Sequence, residues 1–477
     1  MLFTSPVFLF AFLPLVLALH YFAPARLKNS VLLLASLLFY SWGETLYVLL
    51  MLVSIAANYC FGVAIEHFRQ SRYPRLWLAI GVATNLSLLA AFKYANFLVD
   101  TANALLQWAD IPPIVLAPVH LPLGISFFTF QAMSYIIDVY RGDVAAQRRP
   151  GHVALYIALF PQLVAGPIVR YHDISKQIVQ RHIGSSLFVS GARRFLMGLA
   201  KKLLIANSMG QVATAAFSAP TAELGFALAW LGIICYALQI YFDFSGYSDM
   251  AIGLGRMLGF RFQENFNYPY IATSLQDFWR RWHISLSSWF RDYLYIPLGG
   301  NRSGAARTYF NLMLVFFLCG LWHGASWNFV LWGMIHGCFL VLERGPFGAF
   351  LNALWRPLRH AYTLIVVCFA WVFFRAETLP QAFDYAAVML GMGEATPVAG
   401  FLAGVILKPD ILAALLAGAV LAAPVYPWLA FHCCIPVLQR HRGWYFVSQW
   451  AFMYGLAALV FLAVASTTFN PFIYFRF

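Results

Sequence analysis

Two histidines occupy positions where their side chains could do chemistry. His323 lies inside a long apolar run, residues 319–325, and His283 lies in the densest aromatic and basic stretch of the chain, residues 278–286. Imidazole is the side chain best suited to moving protons near neutral pH, and burying it in hydrocarbon costs free energy unless it is paired. We therefore predict that the chain is a membrane enzyme and not a passive helical bundle.

The composition of the chain predicts that it is embedded in a membrane. Of its 477 residues, 62% are hydrophobic and only 10% are charged, whereas a soluble protein carries roughly a quarter charged residues. The net charge of +13 comes from basic residues between apolar runs, such as Arg148-Arg149 and Lys201-Lys202, and this arrangement is typical of cytoplasmic loops. We expect an all-α polytopic protein that contacts the lipid bilayer and binds no nucleic acid.

Apolar runs long enough to cross a bilayer recur along the chain. A hydrocarbon core of about 30 Å takes about 20 apolar residues of helix. We predict roughly 10–13 transmembrane helices, with re-entrant and interfacial helices in addition. The candidate spans are residues 5–21, 31–42, 46–65, 76–92, 152–169, 187–205, 226–244, 309–318, 327–342, 362–374, 411–431 and 445–465.

The distribution of basic residues predicts the orientation of the chain. Arg26 and Lys28 follow the first span, and three arginines in residues 69–75 follow the third. Both groups fall on the cytoplasmic side if the N-terminus is outside. Arg440 and Arg442 precede the last span, which places the C-terminus outside as well.

We predict one membrane domain with a central catalytic part. Helix breakers interrupt apolar runs at residues 121–126 and 164–167. Irregular backbone at membrane depth is tolerated only where protein buries it or where it lines a wet cavity, so a cavity is expected there. The predicted parts of the single domain 1–477 are outer helices over 1–110, a catalytic core over 120–345 and C-terminal helices over 360–477.

Residues 277–292 are predicted to form one amphipathic helix. At the period of an α-helix, their aromatic and polar side chains separate onto two faces, and His283 falls on the border. The tryptophans and arginines of this helix fit an interfacial anchor equally well. Alternatively, Arg280, Arg281 and Arg291 could bind the phosphates of a cytosolic donor.

The surroundings of His323 indicate a site but do not prove one. Gly320 and Gly324 flank it and are expected to permit a helix break with close backbone approach. A lone histidine on an apolar face is more often a satisfied core residue, so both interpretations stay open at this point. The tryptophans expected to form the wall of such a site are Trp322, Trp327 and Trp332.

Other titratable residues give weaker signals. His283, His323 and His336 were considered as metal ligands, but their spacing matches no metal-binding motif such as HxxxH. No metal site is therefore predicted, and His336 is expected to be structural.

Asp243 and Asp249 flank a predicted turn at residues 244–248. Intramembrane carboxylates often mark functional sites, but structural hydrogen bonding would explain these two equally well.

Matching blocks lie at residues 241–270, 277–302 and 320–325, with shorter ones at 126–141 and 470–477. In these blocks the chain resembles the membrane-bound O-acyltransferase family, in its bacterial branch of alginate O-acetyltransferase membrane subunits. The resemblance covers essentially the whole chain and implies a helical fold around a central tunnel. It implies that His323 is the family's invariant histidine and that His283 is a second functional histidine of this branch. Further candidates for the donor site or tunnel are Trp282, Arg280, Arg281, Asn265, Trp322, Asp243 and His336.

This resemblance also implies a reaction. The expected enzyme lies in the bacterial inner membrane, takes acetyl from cytosolic acetyl-CoA and works with a periplasmic SGNH-type or related acetyltransferase. Its acceptor would be an exported polysaccharide, with an alginate type favoured and peptidoglycan or cellulose as alternatives. No bound cofactor is expected, because acetyl-CoA is the donor substrate.

The chemistry expected of the two histidines follows from the donor. A thioester is already activated, so His323 would act as general base or transient nucleophile, and His283 would position the donor or relay the proton.

Two other classes of protein stay open as alternatives to an enzyme: a transporter of an acetyl carrier, and a scaffold without chemistry of its own. Transporters usually contain inverted repeats, and we detect none in the sequence.

Overall fold

The computed structural model describes residues 1–220, 223–392, 408–429, 431–432 and 442–466. Within these ranges the regular secondary structure is helical, and no β-strand occurs. The similar block at the end of the chain and the C-terminal tail, for which an outer location is predicted, lie outside the described residues.

The helices are named here in chain order. Several begin with proline in the first turn, as α4, α6 and α18 do, because that turn leaves its N–H groups unpaired and proline has none to lose. The helices are α1 (Phe8–Phe22), α2 (Lys28–Ser41), α3 (Tyr47–His67), α4 (Pro74–Trp108), α5 (Ile125–Arg141), α6 (Pro150–Ala158), α7 (Phe160–Leu163), α8 (Tyr171–Val179), α9 (185–218), α10 (Phe226–Met257), α11 (Leu275–Arg281), α12 (Ile284–Phe290), α13 (Ala305–His323), α14 (Trp327–Leu342), α15 (Pro346–Ala353), α16 (Arg356–Arg375), α17 (Leu379–Met389), α18 (Pro409–Leu421), α19 (Val425–Leu429) and α20 (Arg442–Ser466).

Many of these helices have the length and composition of membrane spans. In the described part of the chain, six helices are long and apolar enough to cross a membrane, namely α3, α4, α10, α13, α16 and most of α20. Three shorter helices, α1, α14 and α18, are also apolar. The prediction of an all-α polytopic membrane protein is confirmed.

The chain contains two compact units. Both candidate catalytic histidines belong to the second unit. The predicted single domain with its three parts stays a prediction. The first unit comprises residues 1–192, 251–263 and 324–326, and the second comprises residues 193–250, 264–323 and 327–477.

In the first unit, the predicted interruptions of the apolar runs occur. Helix α5 begins only after Gly124, whose φ of 73° lies in the left-handed region. A side chain at this glycine would meet the carbonyl oxygen of Leu163 at 2.7 Å. Residues 159–169, which include the second interruption, are all buried. The irregular backbone is thus enclosed by protein, which is one of the two settings that a membrane permits.

Helix α10 contradicts the turn predicted at residues 244–248. The helix continues unbroken through this segment to Met257. Gly246 permits close helix packing instead, since a Cβ there would meet the carbonyl oxygen of Gly198 on α9 at 2.7 Å. Gly246 therefore marks a tight contact between two helices and not a bend.

The acidic residues of α10 form ion pairs with basic residues of α9. Lys202 Nζ lies 2.8 Å from Asp243 Oδ1, and Lys201 Nζ lies 2.7 Å from Asp249 Oδ2. Arg194 contacts Asp249 as well, at 2.6 Å. The lysine pair was predicted to lie in a loop, and this is wrong because both lysines are inside α9. Such pairing is how charges are accommodated in apolar surroundings, and it favours a structural role for both aspartates.

Candidate active site

His283 lies at the junction between α11 and α12. Its φ of 43° is in the left-handed region, which residues with a Cβ rarely adopt and which clusters at functional sites. The backbone N–H of Ile284 donates to the carbonyl oxygen of Asn265 over 2.9 Å. The single helix predicted over residues 277–292 is therefore wrong, because a bond to an earlier loop replaces a helical one at this point.

The aromatic side chains around this junction belong to the protein core. Trp279, Trp282 and Trp289 are 8%, 2% and 4% exposed, and His283 is fully buried. An interfacial anchor would present its tryptophans to the boundary between lipid and water. That alternative is wrong for the three tryptophans, and the predicted border position of His283 is wrong as well.

Asn265 fixes the protonation of the His283 ring. The backbone N–H of Ser285 donates to Asn265 Oδ1 over 3.1 Å, and Asn265 Nδ2 donates to Ser248 Oγ over 3.0 Å. These two bonds determine which end of the amide faces the ring. Because an amide oxygen only accepts, His283 Nδ1, 3.2 Å from Oδ1, must be the donor. The neutral ring therefore carries its proton on Nδ1 and has a lone pair on Nε2.

The environment of His283 keeps it neutral. Burial lowers the pKa of the imidazole to about 3, because the charged form loses its hydration. Nε2 makes no hydrogen bond to any described residue. At physiological pH the ring thus offers a buried acceptor that a substrate hydroxyl could use.

His323 is the last residue of α13 and is 4% exposed. Gly320 does not break the helix as predicted, since α13 continues through it. A Cβ on Gly320 would overlap the carbonyl oxygen of Phe329, and one on Gly333 would overlap that of Phe316. The two glycines therefore let α13 and α14 approach closely, and this packing fixes the end of α13 that carries His323.

The fold brings the two predicted catalytic histidines together. The ring centres of His283 and His323 are 6.4 Å apart. The ring of Phe244 lies 4.5 Å from His283, and the ring of Phe374 lies 5.2 Å from His323. We call this buried group the histidine chamber. Its aromatic walls limit the access of water and strengthen electrostatic interactions inside.

Two of the three predicted wall tryptophans contact this chamber. Trp322 is 6.0 Å from the ring of His283 and 5.0 Å from that of His323. Trp332 is 5.0 Å from His323. The prediction is wrong for Trp327, which is 50% exposed.

His336 supports the chamber from α14. Its Nδ1 accepts a hydrogen bond from Trp279 Nε1 over 3.3 Å, and its ring lies 5.1 Å from that of Trp332. This contact fits the structural role expected for His336. Among the residues that the structure describes, no three His, Cys, Asp or Glu side chains are arranged to hold a metal ion.

The further candidates divide into two groups. Asn265 and Trp322 contact the histidine pair directly. Trp282 packs against a tryptophan of α16 with ring centres 5.0 Å apart. Arg281 forms an ion pair within α11, and Arg280 is exposed. Asp243 keeps the lysine partner described above.

Two chamber residues have no role in the sequence analysis, and a third has a polar group that it did not consider. Ser285 donates its hydroxyl to Asn265 Oδ1 over 2.9 Å, and its position two residues after His283 was the only available signal. Phe374 comes from α16, and no spacing in the sequence connects it with the histidines. Trp332 was expected only as a wall, yet its indole N–H is fully buried and has no acceptor among the described residues. A substrate carbonyl could supply that acceptor.

The Asn265→Asp variant is expected to shift the pH dependence of activity. An aspartate there would put a negative charge next to His283 Nδ1 and raise the pKa of the ring from its value of about 3, by about 1–3 units. A raised pKa means that Nε2 becomes protonated at a higher pH. The variant should therefore lose activity progressively on the acid side, over a range where wild type keeps it. A rate profile from pH 4 to 8 measures this.

Ser248→Ala is the matched control for this variant. It removes the same bond from position 265 to Ser248 Oγ without adding a charge near His283. Its pH profile should match wild type. Identical profiles for Asn265→Asp and wild type would contradict the assigned contact between Asn265 and His283.

Comparison with known proteins gives a consistent set of relatives. The family model of the membrane-bound O-acyltransferases matches residues 123–379. The probable alginate O-acetylase of Azotobacter vinelandii is 47% identical over 83% of this chain and 79% of its own. The peptidoglycan O-acetyltransferase of Helicobacter pylori is 38% identical over 82% of this chain and 80% of its own. The teichoic acid D-alanyltransferase of Bacillus subtilis is 31% identical over 46% of this chain and 58% of its own.

Proposed function

The chain belongs to the membrane-bound O-acyltransferase family, and on this premise we propose that it passes acetyl groups from cytosolic acetyl-CoA across the inner membrane for O-acetylation of an exported polysaccharide. The class of enzyme is an O-acetyltransferase embedded in a membrane. An alginate-type acceptor is favoured because the 47% identical relative is a probable alginate O-acetylase. Peptidoglycan is the second candidate, since the peptidoglycan O-acetyltransferase is 38% identical over most of both chains.

The similarities favour acetyl over D-alanyl as the transferred group. The relative named for D-alanyl transfer matches 46% of this chain, whereas the two named for O-acetylation match 82% and 83%. A donor of acetyl groups must be an activated ester, and acetyl-CoA is the activated form that we assign to it. The family is compatible with this donor, and the reaction below depends on it.

The buried pair of His283 and His323 supports the proposed chemistry most directly. An imidazole takes the proton of the acceptor hydroxyl while the hydroxyl oxygen forms a bond to the acetyl carbonyl carbon. The C–S bond of the thioester then breaks, and the proton passes to the leaving thiolate. The products are an acetyl ester and free CoA, so no oxidant, reductant or metal ion enters the balance.

The two histidines receive different roles in this proposal. A general base works best when its pKa is near the working pH, and burial lowers the pKa of His283 to about 3. His283 is therefore assigned to accept a hydrogen bond at Nε2 and to orient the hydroxyl. His323, at the end of α13, is assigned to remove the proton.

The proposed sidedness follows from charge. In the second unit Arg302 and Arg307 flank the start of α13, and Arg344 follows the end of α14. The positive-inside rule assigns these helix ends to the cytoplasm, where acetyl-CoA is made. Both termini would then lie in the periplasm. The acetyl group would leave on that side, to a periplasmic SGNH-type or related acetyltransferase that completes delivery.

Purified protein in liposomes should release free CoA when it is given acetyl-CoA together with the periplasmic acetyltransferase and the polysaccharide. Thiol release measured by a colour reagent tests the reaction. A transporter of an acetyl carrier would move label across the membrane without releasing thiol. A scaffold would leave the chemistry to the soluble transferase, so CoA release would be the same with a folded His323→Ala protein, and either result would overturn the proposal.

A further inference from the structure

Two buried hydrogen-bond donors lie side by side on α14. Trp332 and His336 are both fully buried, and their ring centres are 5.1 Å apart. Because they are one turn apart in sequence, they share one face of the helix. Neither takes part in the proton transfer that is assigned to His323.

The indole N–H of Trp332 has no protein partner. It can only donate, and no acceptor among the described residues bonds to it. Aromatic rings enclose the indole, since that of Trp371 stacks on it at 5.9 Å and that of Phe374 lies 5.0 Å away. A buried donor without an acceptor destabilises a folded protein and is uncommon in native structures, so it calls for a functional reason.

His336 provides a second donor of the same kind. Its Nδ1 accepts the indole N–H of Trp279 over 3.3 Å. A ring nitrogen that accepts carries no proton, so the ring is neutral and has its proton on Nε2. Nε2 makes no hydrogen bond to the part of the chain that the structure describes. Trp332 and His336 cannot satisfy each other, because both groups are donors.

This pair of donors adjoins the proposed general base. The ring of Trp332 lies 5.0 Å from that of His323, with an angle of 85° between the ring planes. His323 ends α13, and the close contact of α13 with α14 through Gly320 and Gly333 holds this arrangement in place. An acyl group that reacts beside His323 therefore lies next to the face of α14 that carries the two donors.

The proposed reaction creates a negative charge that needs such donors. When the hydroxyl oxygen bonds to the acyl carbonyl carbon, an electron pair of the C=O bond moves to the carbonyl oxygen. His283 offers an acceptor at Nε2, and His323 carries the proton from the hydroxyl to the leaving thiolate, so neither is assigned to this oxygen. Preorganised N–H groups at the oxygen stabilise the transition state more than the ground state.

We infer that Trp332 Nε1–H and His336 Nε2–H donate to the carbonyl oxygen of the transferred acyl group and stabilise its negative charge in the tetrahedral intermediate. The inference rests on the proposed function, and it adds two catalytic residues to that function. Trp279 is a positioning residue, because its N–H selects the form of His336 that has its proton on Nε2.

Two variants remove one donor each. Trp332→Phe keeps an aromatic ring but has no N–H, and it should lower kcat about a hundredfold while the KM for acetyl-CoA changes less than about threefold. His336→Asn has an amide oxygen that can accept the N–H of Trp279 in place of Nδ1, but it lacks the Nε2 donor, and kcat should fall similarly. CoA release measures both effects, and thermal unfolding checks the fold.

The inhibitor S-trifluoroacetonyl-CoA separates lost chemistry from lost structure. Its hydrated ketone resembles the tetrahedral intermediate, and it has no thioester to cleave. In each variant its Ki should rise by about the factor by which kcat/KM falls, because both measure binding of the same oxygen. The Kd of CoA, which carries no acyl group, should stay within about twofold of wild type.

Trp371→Phe is the matched control. Trp371 is 1% exposed and stacks on Trp332, but its indole N–H lies beside the hydroxyl of Tyr270. This variant makes the same change in the same part of the core without removing a donor from the acyl group. Its kcat and its Ki for the inhibitor should stay within about threefold of wild type.

Three outcomes would overturn the inference. They are wild-type kcat in a folded Trp332→Phe or His336→Asn protein, an equal fall of kcat in the Trp371→Phe control, and a fall of kcat without a rise in Ki. The last outcome would leave the two residues with a structural role only. Failure of the proposed function is distinguishable, because wild type itself would then release no CoA from acetyl-CoA.

Discussion

His323→Ala is expected to lower kcat/KM for acetyl transfer about a thousandfold. The substitution removes the imidazole that takes the proton of the acceptor hydroxyl, and proton transfer of this kind contributes about 10²–10⁴-fold to a rate. The fold should persist, because His323 is the last residue of α13 and the glycine contacts between α13 and α14 are unchanged. CoA release by purified protein measures the loss.

The control for this prediction is a histidine outside the chamber. His182 is exposed in the first unit, so His182→Ala should keep wild-type activity. Thermal unfolding of both variants separates loss of chemistry from loss of fold. Wild-type acetyl transfer by a folded His323→Ala protein would sink the assignment of the base and would favour the scaffold alternative.

His283→Ala is expected to lower kcat about a hundredfold with a smaller change in KM for acetyl-CoA. The variant removes the buried Nε2 acceptor that orients the hydroxyl, and the effect belongs to the chemical step and not to donor binding. Asn265 keeps its two bonds to Ser285, so the surrounding network is not left without partners. Steady-state kinetics with acetyl-CoA as the varied substrate measures the split.

A double variant decides whether the two histidines act together. If both imidazoles contact the same hydroxyl, His283→Ala/His323→Ala should be scarcely less active than His323→Ala alone, because residues that act as a unit have non-additive effects. Independent roles would multiply the two losses. Multiplied losses would contradict a shared substrate atom between rings that are 6.4 Å apart.

Hydropathy predicted most of the helices but missed one of the most buried. Helix α5 was not among the candidate spans, although Ile125–Arg141 is a continuous helix with nearly every residue buried. Gln131, Ser134 and Asp138 lower its mean hydropathy. A helix enclosed by other protein helices need not be apolar all round, so a count of apolar residues cannot find it.

Local patterns were least reliable where distant segments meet. Gly246 looked like part of a turn, but it permits α9 and α10 to pack closely. The aromatic and basic residues around His283 looked like one amphipathic helix, but the bond from Ile284 to Asn265 interrupts it. In both places the deciding contact comes from another part of the chain, and periodicity does not record such contacts.

The sequence by itself determined that this protein is a helical membrane enzyme, because composition and run length follow from the cost of placing polar groups in lipid. It also marked His283 and His323 as candidates, since imidazole in apolar surroundings has a local cost. Only the tertiary structure decided that these histidines, 40 residues apart in the sequence, share one chamber, and that Asn265 leaves the lone pair of His283 on Nε2. Distances between side chains remote in sequence are set by packing, and packing exists only in the folded chain.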